Sequence, residues 1–348
     1  MAKTYYRPLG LCYGPDAEQL IAQRRAGLLG GNVTIAFTAA ERIMRDGKTI
    51  TREIVPYADC IDSVRHIETL RGSFGGVAMD APKIMGIVNV TPDSFSDGGQ
   101  HGTADAGLLH GLQLAEEGAH ILDVGGESTR PGSDAVSIEE ELARVIPAVA
   151  KLHKAGQVVS IDTRKPQVMC DALKAGAAIV NDVSALRYDS ESLRTVAEMG
   201  CPIVLMHAQG DPRTMQLNPH YDDVALDVYD HLEERVNACV AAGIPRARIA
   251  IDPGIGFGKT FRHNLDLLNQ VTLFHGLGVV VLLGLSRKGF IGALTGEKLA
   301  KNRVNGSVGG AVHAALNGVH ILRVHDVKAT VEALGVAMAI VEPRTTEF

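Results

Sequence analysis

From residue 83 onward the sequence alternates short β-branched runs with amphipathic helical stretches, and this rhythm restricts the fold more than any other feature. The runs are Ile84–Val88, His120–Val124, Val158–Ile161, Ala178–Val180, Ile203–Met206, Ile249–Ile251, Val279–Leu283 and Val319–Leu322. Between them lie helical patterns. Ser137 and Glu140 have the spacing of a capping box and open a helix with apolar positions Ile138, Leu142, Val145, Val149 and Leu152. Val224, Val228, Leu232, Val236 and Val240 repeat the pattern, and Val327, Val331, Leu334, Met338 and Val341 close the chain. Eight strand–helix units predict an α/β fold, a (β/α)8 barrel over residues 81–348. A doubly wound open sheet would more often carry a glycine fingerprint at its first strand-to-helix turn, and none stands there.

Residues 1–80 have a weaker pattern and read as an N-terminal extension. Asn32–Thr38 has strand character. Asp46-Gly47 is a two-residue hairpin turn with Glu41–Arg45 and Lys48–Val55 as its arms, and Asp59–Leu70 reads as a helix. No motif gives this region a task. Because the eight units are complete without it, the barrel is expected to fold without residues 1–78.

Composition narrows the function. The chain has 34 basic and 40 acidic residues, a net charge of −6, whereas a nucleic-acid groove calls for a basic surplus. Five cysteines without a CxxC pair exclude a disulfide framework or zinc knuckle. The N-terminus lacks the apolar core of a signal peptide, and the most apolar stretch, Gly276–Leu285, is too short to span a bilayer. A soluble, cytoplasmic protein is expected, without membrane or nucleic-acid partners.

Each apolar run ends in polar residues: Asn89, Glu127 to Arg130, Asp162, Asn181-Asp182, His207, Asp252, Ser286-Arg287-Lys288 and Arg323-Val324-His325. In a barrel these strand ends form one rim, where active sites are built. Helix capping explains some of the Asp and Ser residues. It does not explain Arg130, Lys288, Arg323 and His325 converging on the same rim as Asp162 and Asp252. Such a mouth fits a ligand with an anionic part and a cationic or N–H-rich part. The basic groups suit phosphate, and His325-Asp326 opens the last helix, whose free N–H groups favour an anion. Asn89, with Asp93 and Asp97, offers hard oxygen donors of the kind Mg²⁺ takes beside phosphate. Gly258-Lys259-Thr260 looks like the end of a P-loop, but the earlier glycine that motif requires is Pro253. His207 serves equally well as a ligand or as a satisfied core histidine.

The rim segments also carry a resemblance. Met85 to Gly99 (MGIVNVTPDSFSDGG) and Gly125 to Gly132 (GGESTRPG) resemble two signatures of the dihydropteroate synthase family. Ser160 to Thr163, Asn181-Asp182, Met206-His207, Asp252 to Lys259, Ser286 to Lys288 and Arg323 to Asp326 follow in the family's order, so the likeness covers roughly residues 83–342. Ala208 departs from it, since Met is commoner there. The resemblance implies condensation of 6-hydroxymethyl-7,8-dihydropterin pyrophosphate with p-aminobenzoate to 7,8-dihydropteroate, with Mg²⁺ and loss of pyrophosphate, in a homodimer.

Residue roles are implied in the same way. Asp252 would accept the pterin's adjacent N–H donors, with Asn181 and Asp162 completing the polar edge. Lys288 would reach the pterin carbonyl or ring nitrogen, Arg323 would lie on the pterin face, and Met206 and Phe257 would be apolar walls. Thr129, Arg323, Val324 and His325 would hold the pyrophosphate, and Asn89 the Mg²⁺. Ser286 would meet the p-aminobenzoate carboxylate, and Phe95, Thr129, Arg130 and Pro131 would close over that substrate. Arg323, His325, Lys288 and Asp162 are the catalytic candidates. The rival readings are a pterin-dependent corrinoid methyltransferase and a silent pterin-binding paralogue. Neither needs a pyrophosphate site.

Overall fold

The N-terminal extension is organised by one long antiparallel pair. The computed structural model describes residues 2–90, 100–128, 136–210 and 214–342, with side chains from residue 105 in the second stretch. Strand β1 (Lys3–Tyr13) leads into helix α1 (Gly14–Ala22) and the short β2 (Gly27–Leu28); β3 (Ile35–Asp46) and β4 (Thr49–Pro56) follow, then α2 (Ile61–Glu68). Strand β3 pairs with β1 on one edge and with β4 on the other. The turn at Asp46-Gly47 joins β3 to β4, with Gly47 at φ 58° as such a turn requires. The strand expected at Asn32–Thr38 begins only at Ile35 and runs on through the predicted hairpin arm. Strand β1 was not foreseen, because most of its residues are half-buried and its apolar alternation is faint. Leu29, Ile35, Phe37, Tyr57, Val64 and Ile67 form the extension's own core.

A tight hairpin then enters the barrel. Strands β5 (Ser73–Phe74) and β6 (Val77–Ala78) flank Gly75-Gly76, both in the left-handed region. Phe74 and Met79 are buried among Met85, Ile121, Ile179, Val204, Ala250, Val280 and Ile321. The floor of the barrel is therefore closed by side chains from outside its eight units. This changes the expectation for a chain lacking residues 1–78, which would lose Phe74 from that packing.

The barrel strands are β7 (Lys83–Asn89), β8 (Ile121–Gly125), β9 (Val159–Asp162), β10 (Ile179–Asp182), β11 (Ile203–Met206), β12 (Ile249–Asp252), β13 (Val280–Leu283) and β14 (Ile321–Val324). They follow one another around a closed parallel barrel, with β14 pairing back onto β7. The helices between and after them are α3 (Gln100–Glu116), α4 (Ile138–Lys154), α5 (Pro166–Lys174), α6 (Ser192–Met199), α7 (Val224–Ala241), α8 (Phe261–Asn269), α9 (Gly289–Thr295), α10 (Val304–Leu316) and α11 (Val327–Val341). Most strands run one or two residues past the predicted apolar run, because the pleat continues into the polar residue that ends it. Outward-facing Leu122, Val124, Ile161, Val180, Leu205, Ile251, Val281 and Leu322 pack against the helices in a dry layer.

Half of the expected capping box is present. Ser137 Oγ accepts the Glu140 N–H at 3.1 Å, but the Glu140 carboxylate turns to Arg144 instead of back to the helix start.

The extension is joined to the barrel by two seams. Along α7, Lys3 and Tyr5 bond Asp230, Arg45 pairs with Asp227 at 2.6 Å, and Arg52 pairs with Asp223 at 2.6 Å. Deeper, the Val281 N–H donates to His320 Nδ1 at 3.0 Å, so His320 Nε2 carries the proton that it gives to the Gly30 carbonyl at 2.8 Å. His275 packs edge-on against His320 and bonds the Asn317 carbonyl at 2.9 Å. Burial pushes His275 down to about 3 and His320 to about 4. Among the described residues no helix is long and apolar enough to cross a membrane.

Candidate active site

Every second residue of a barrel strand points inward, and here the inner face changes character with height. The lower positions are apolar except for the buried Ser160 on β9. One step higher stand Asp123, Asp162, Asn181, Met206, Asp252 and Arg323, from β8, β9, β10, β11, β12 and β14. Such a charged layer is tolerable only if its members are paired. Arg323 Nε donates to Asp123 Oδ2 at 2.6 Å and its Nη2 to Asp162 Oδ2 at 2.7 Å; Asn181 Nδ2 adds a bond to Asp123 at 3.1 Å. Asp123 Oδ1 and Asp162 Oδ1 are buried acceptors that no described group satisfies.

The electrostatics follow from burial. It pushes Asp162 up to about 7, with Arg323 pulling down and Asp123 pushing further up. Burial likewise raises Asp252 to about 6, opposed by the Gly254 N–H and Lys288. Arg323 is raised as well, because Asp123 and Asp162 outweigh its own desolvation and lock its charge in place.

The loops above this layer are held closely. Asp252 Oδ1 accepts the Gly254 N–H at 2.7 Å. Gly254 must be glycine: its φ is 70°, and a Cβ there would sit 1.9 Å from the His207 carbonyl oxygen. The Lys288 ammonium lies 4.0 Å from the centroid of the Phe257 ring. Ser286 Oγ accepts the His325 N–H at 3.2 Å and lies 3.1 Å from His325 Nδ1, which joins the ends of β13 and β14. Arg287 grips Asp326 with two guanidinium nitrogens, at the start of α11.

Asp162, Asn181, Met206, Asp252 and Arg323 thus come together in one layer, with Phe257, Ser286, Lys288 and His325 on the rim above it. Asn89 ends β7 on the same rim, opposite Gly125. The side chain of Val324 faces the other way, into the helix layer, because it follows the inward-pointing Arg323. Ser286 precedes α9 without capping it; the cap position belongs to Lys288. Asp182 serves its own loop: it accepts from the Ser184 and Leu186 N–H groups at 2.7 and 2.8 Å and holds Ala185 and Leu186 in left-handed conformations. Phe95, Thr129, Arg130 and Pro131, like Asp93 and Asp97, lie outside the described residues.

Asp123 went unnoticed in the sequence because it stands inside an apolar run. The available signal was a carboxylate at an inward position of a strand otherwise apolar, which demands a buried cation. Lys259, set aside with the failed P-loop, is another buried charge of the same site.

The family described as "Pterin binding enzyme" matches residues 85–325, from the first barrel strand to the residue after the last. The dihydropteroate synthase of Escherichia coli (strain K12) is 47% identical over 267 residues, which cover 76% of this chain and 94% of that one. The chain belongs to the dihydropteroate synthase family. The family's enzyme from Neisseria meningitidis serogroup C is 50% identical over 263 residues, 74% of this chain and 92% of its own. Among solved structures, the Xanthomonas albilineans dihydropteroate synthase with 4-aminobenzoic acid superposes with a TM-score of 0.72 at 52% identity, covering 76% of this chain and 94% of that one. The same enzyme in complex with 7,8-dihydropteroate gives 0.69 at 49% identity, covering 76% and 95%. The matched family region begins at residue 85, after the extension.

Proposed function

We propose that this chain performs its family's reaction, joining 6-hydroxymethyl-7,8-dihydropterin pyrophosphate to p-aminobenzoate for folate biosynthesis, with the pterin held in the charged layer of the barrel. The observation that carries this placement is the layer itself. Asp123, Asp162 and Asp252 are buried carboxylates gathered around one guanidinium, two of them with an unsatisfied buried oxygen. A pterin presents adjacent ring and exocyclic N–H donors, which a carboxylate accepts as a fork. Asp252 takes that fork. Asn181 and Asp162 complete the polar edge, Lys288 meets the pterin carbonyl or ring nitrogen, and Met206 and Phe257 are its walls.

In the reaction the bond from the pterin methylene carbon to pyrophosphate oxygen breaks, and its electron pair leaves with the pyrophosphate. The aryl amine lone pair then forms the C–N bond, and the amine releases a proton to solvent. The buried carboxylates stabilise positive charge spreading over the dihydropterin, while Arg323 and His325 take up charge on the leaving group. No strong base is needed. Thr129, Arg130, Pro131 and Phe95 are assigned to the second substrate by family resemblance, with Ser286 receiving its carboxylate. Val324 contributes through its backbone only.

Magnesium fits this donor set. Asn89 presents an amide oxygen at the end of β7, and Mg²⁺ pairs such hard ligands with substrate phosphate oxygens and water. Among the described residues no cluster of three His, Cys, Asp or Glu gathers to hold a metal. A metal carried largely by the pyrophosphate fits that arrangement; when bound, it neutralises leaving-group charge.

The assay is pyrophosphate release. It should require both substrates and Mg²⁺ and yield 7,8-dihydropteroate. Failure to form 7,8-dihydropteroate from the two substrates, or methyl transfer to a corrinoid protein, would overturn the reading; so would pterin binding without turnover. The same reading includes a cytoplasmic homodimer, which rests on the family resemblance. Light scattering at twice the chain mass checks it.

A further inference from the structure

Lys259 is a buried cation to which the proposed reaction gives no task. It is 3% exposed. Its ammonium has three described hydrogen-bond partners, all neutral: His207 Nδ1 at 2.9 Å, the Phe257 carbonyl at 3.0 Å and the His207 carbonyl at 3.4 Å. Burial lowers its pKa to about 7, against the pull of nearby Asp252. A lysine held this way is costly, and three N–H donors meeting three acceptors indicate what it does there.

Those acceptors belong to the loops that follow β11 and β12. The two loops already interlock. The His207 N–H donates to the Asp252 carbonyl at 3.0 Å, and a Cβ on Gly258 would lie 2.3 Å from the Gln209 carbonyl oxygen. Lys259 is the side-chain tie across this contact. Its carbonyl partner, Phe257, carries the ring against which the Lys288 ammonium rests at 4.0 Å. One short path therefore runs from Lys259 through Phe257 to Lys288, beside Asp252.

We propose that Lys259 is a positioning residue for the pterin pocket: by tying the Phe257 carbonyl to His207, it sets the Phe257 ring and the Lys288 ammonium opposite Asp252. The proposal rests on the placement of the pterin against Asp252. A methionine of similar length would fill the space but leave the His207 ring nitrogen and the Phe257 carbonyl without their donor.

The test is steady-state kinetics of the full chain carrying Lys259→Met, with Lys259→Arg as the conservative variant. Lys259→Met should raise KM for the pterin pyrophosphate about tenfold while KM for p-aminobenzoate stays within about twofold. Lys259→Arg should recover part of the loss, because its donors reach the same oxygens. A lysine that only filled space would lower the melting temperature and kcat with both KM values unchanged, and that result overturns the proposal. If Lys259→Met does not fold, His207→Phe removes one acceptor and should show the same KM split in weaker form; equal KM values there refute it. Asp252→Asn separates the two layers of argument. Pterin binding retained in that variant defeats the pocket placement, whereas binding lost there but intact in Lys259→Met defeats the role of Lys259 alone.

Discussion

Replacing Arg323 by Met should destabilise the chain in a way that depends on pH. The guanidinium contacts Asp123 at 2.6 Å and Asp162 at 2.7 Å, and Asp123 is fully buried. With charge centres about 4 Å apart and an effective dielectric near 20, each pair contributes about 4 kcal/mol of attraction. Desolvation of the ions offsets part of that, yet removing one partner leaves the carboxylates buried and uncompensated, at a cost of about 3–5 kcal/mol. Protonation provides an escape. Without the cation Asp162 sits further above its unfolded value, so below that raised value the folded chain binds a proton that the unfolded chain does not. Stability therefore rises as pH falls through this window and is lowest above neutrality. Urea unfolding at pH 8.0 and 5.5, with the slope unchanged between chains, should show the full loss at the first pH and a clearly smaller one at the second. A loss below about 1 kcal/mol, or one equal at both pH values, would refute the argument. Adding Asp123→Asn to the variant should restore about 1 kcal/mol or more, because the two sites share the interaction.

Asp252→Asn should nearly abolish pterin binding with the fold intact, since one acceptor replaces two and an NH₂ faces a donor; calorimetry should read a loss of about 3–5 kcal/mol. Phe74→Ala should cost about 3–5 kcal/mol in urea unfolding, and a chain lacking residues 1–78 should melt well below one lacking residues 1–70; equal midpoints would remove the plug from the argument. At the deep seam His275 and His320 stay neutral when folded, so their contribution is complete above about pH 6.5 and falls as pH drops toward 4. His320→Gln keeps both hydrogen bonds without the titration, and between pH 7 and 5 it should lose about 2 kcal/mol less than the parent chain; superimposable acid limbs would count against the seam.

The barrel was legible because its strands are buried on both faces and read as unbroken apolar runs, each closed by a polar residue at the rim. Asp252, Asn181 and Arg323 stood out for that reason. Asp123 did not, because the interior of a run looks uniform until the pleat assigns its faces. Lys259 was judged as part of a phosphate loop, while its meaning lies in His207, a residue 52 positions away. Phe74 is one aromatic beside a glycine turn, and nothing local reveals that it enters a barrel whose strands have yet to appear. Strand β1 is faint because it binds by its edge and by ion pairs to α7, and neither leaves an apolar period.

The floor plug has a consequence for synthesis. Phe74 leaves the ribosome early, while the wall it packs against includes Ile321, and Ile84 of the first barrel strand pairs with Leu322 of the last. At about 5–20 residues per second the plug therefore waits tens of seconds for its socket. Through that interval the antiparallel sheet of the extension can form, since its strand partners are all near in sequence, but it holds an aromatic hairpin with nowhere to bury. A nascent chain in that state is a natural client for a holding chaperone, and slowing translation beyond residue 80 should lengthen its exposure without changing the finished enzyme.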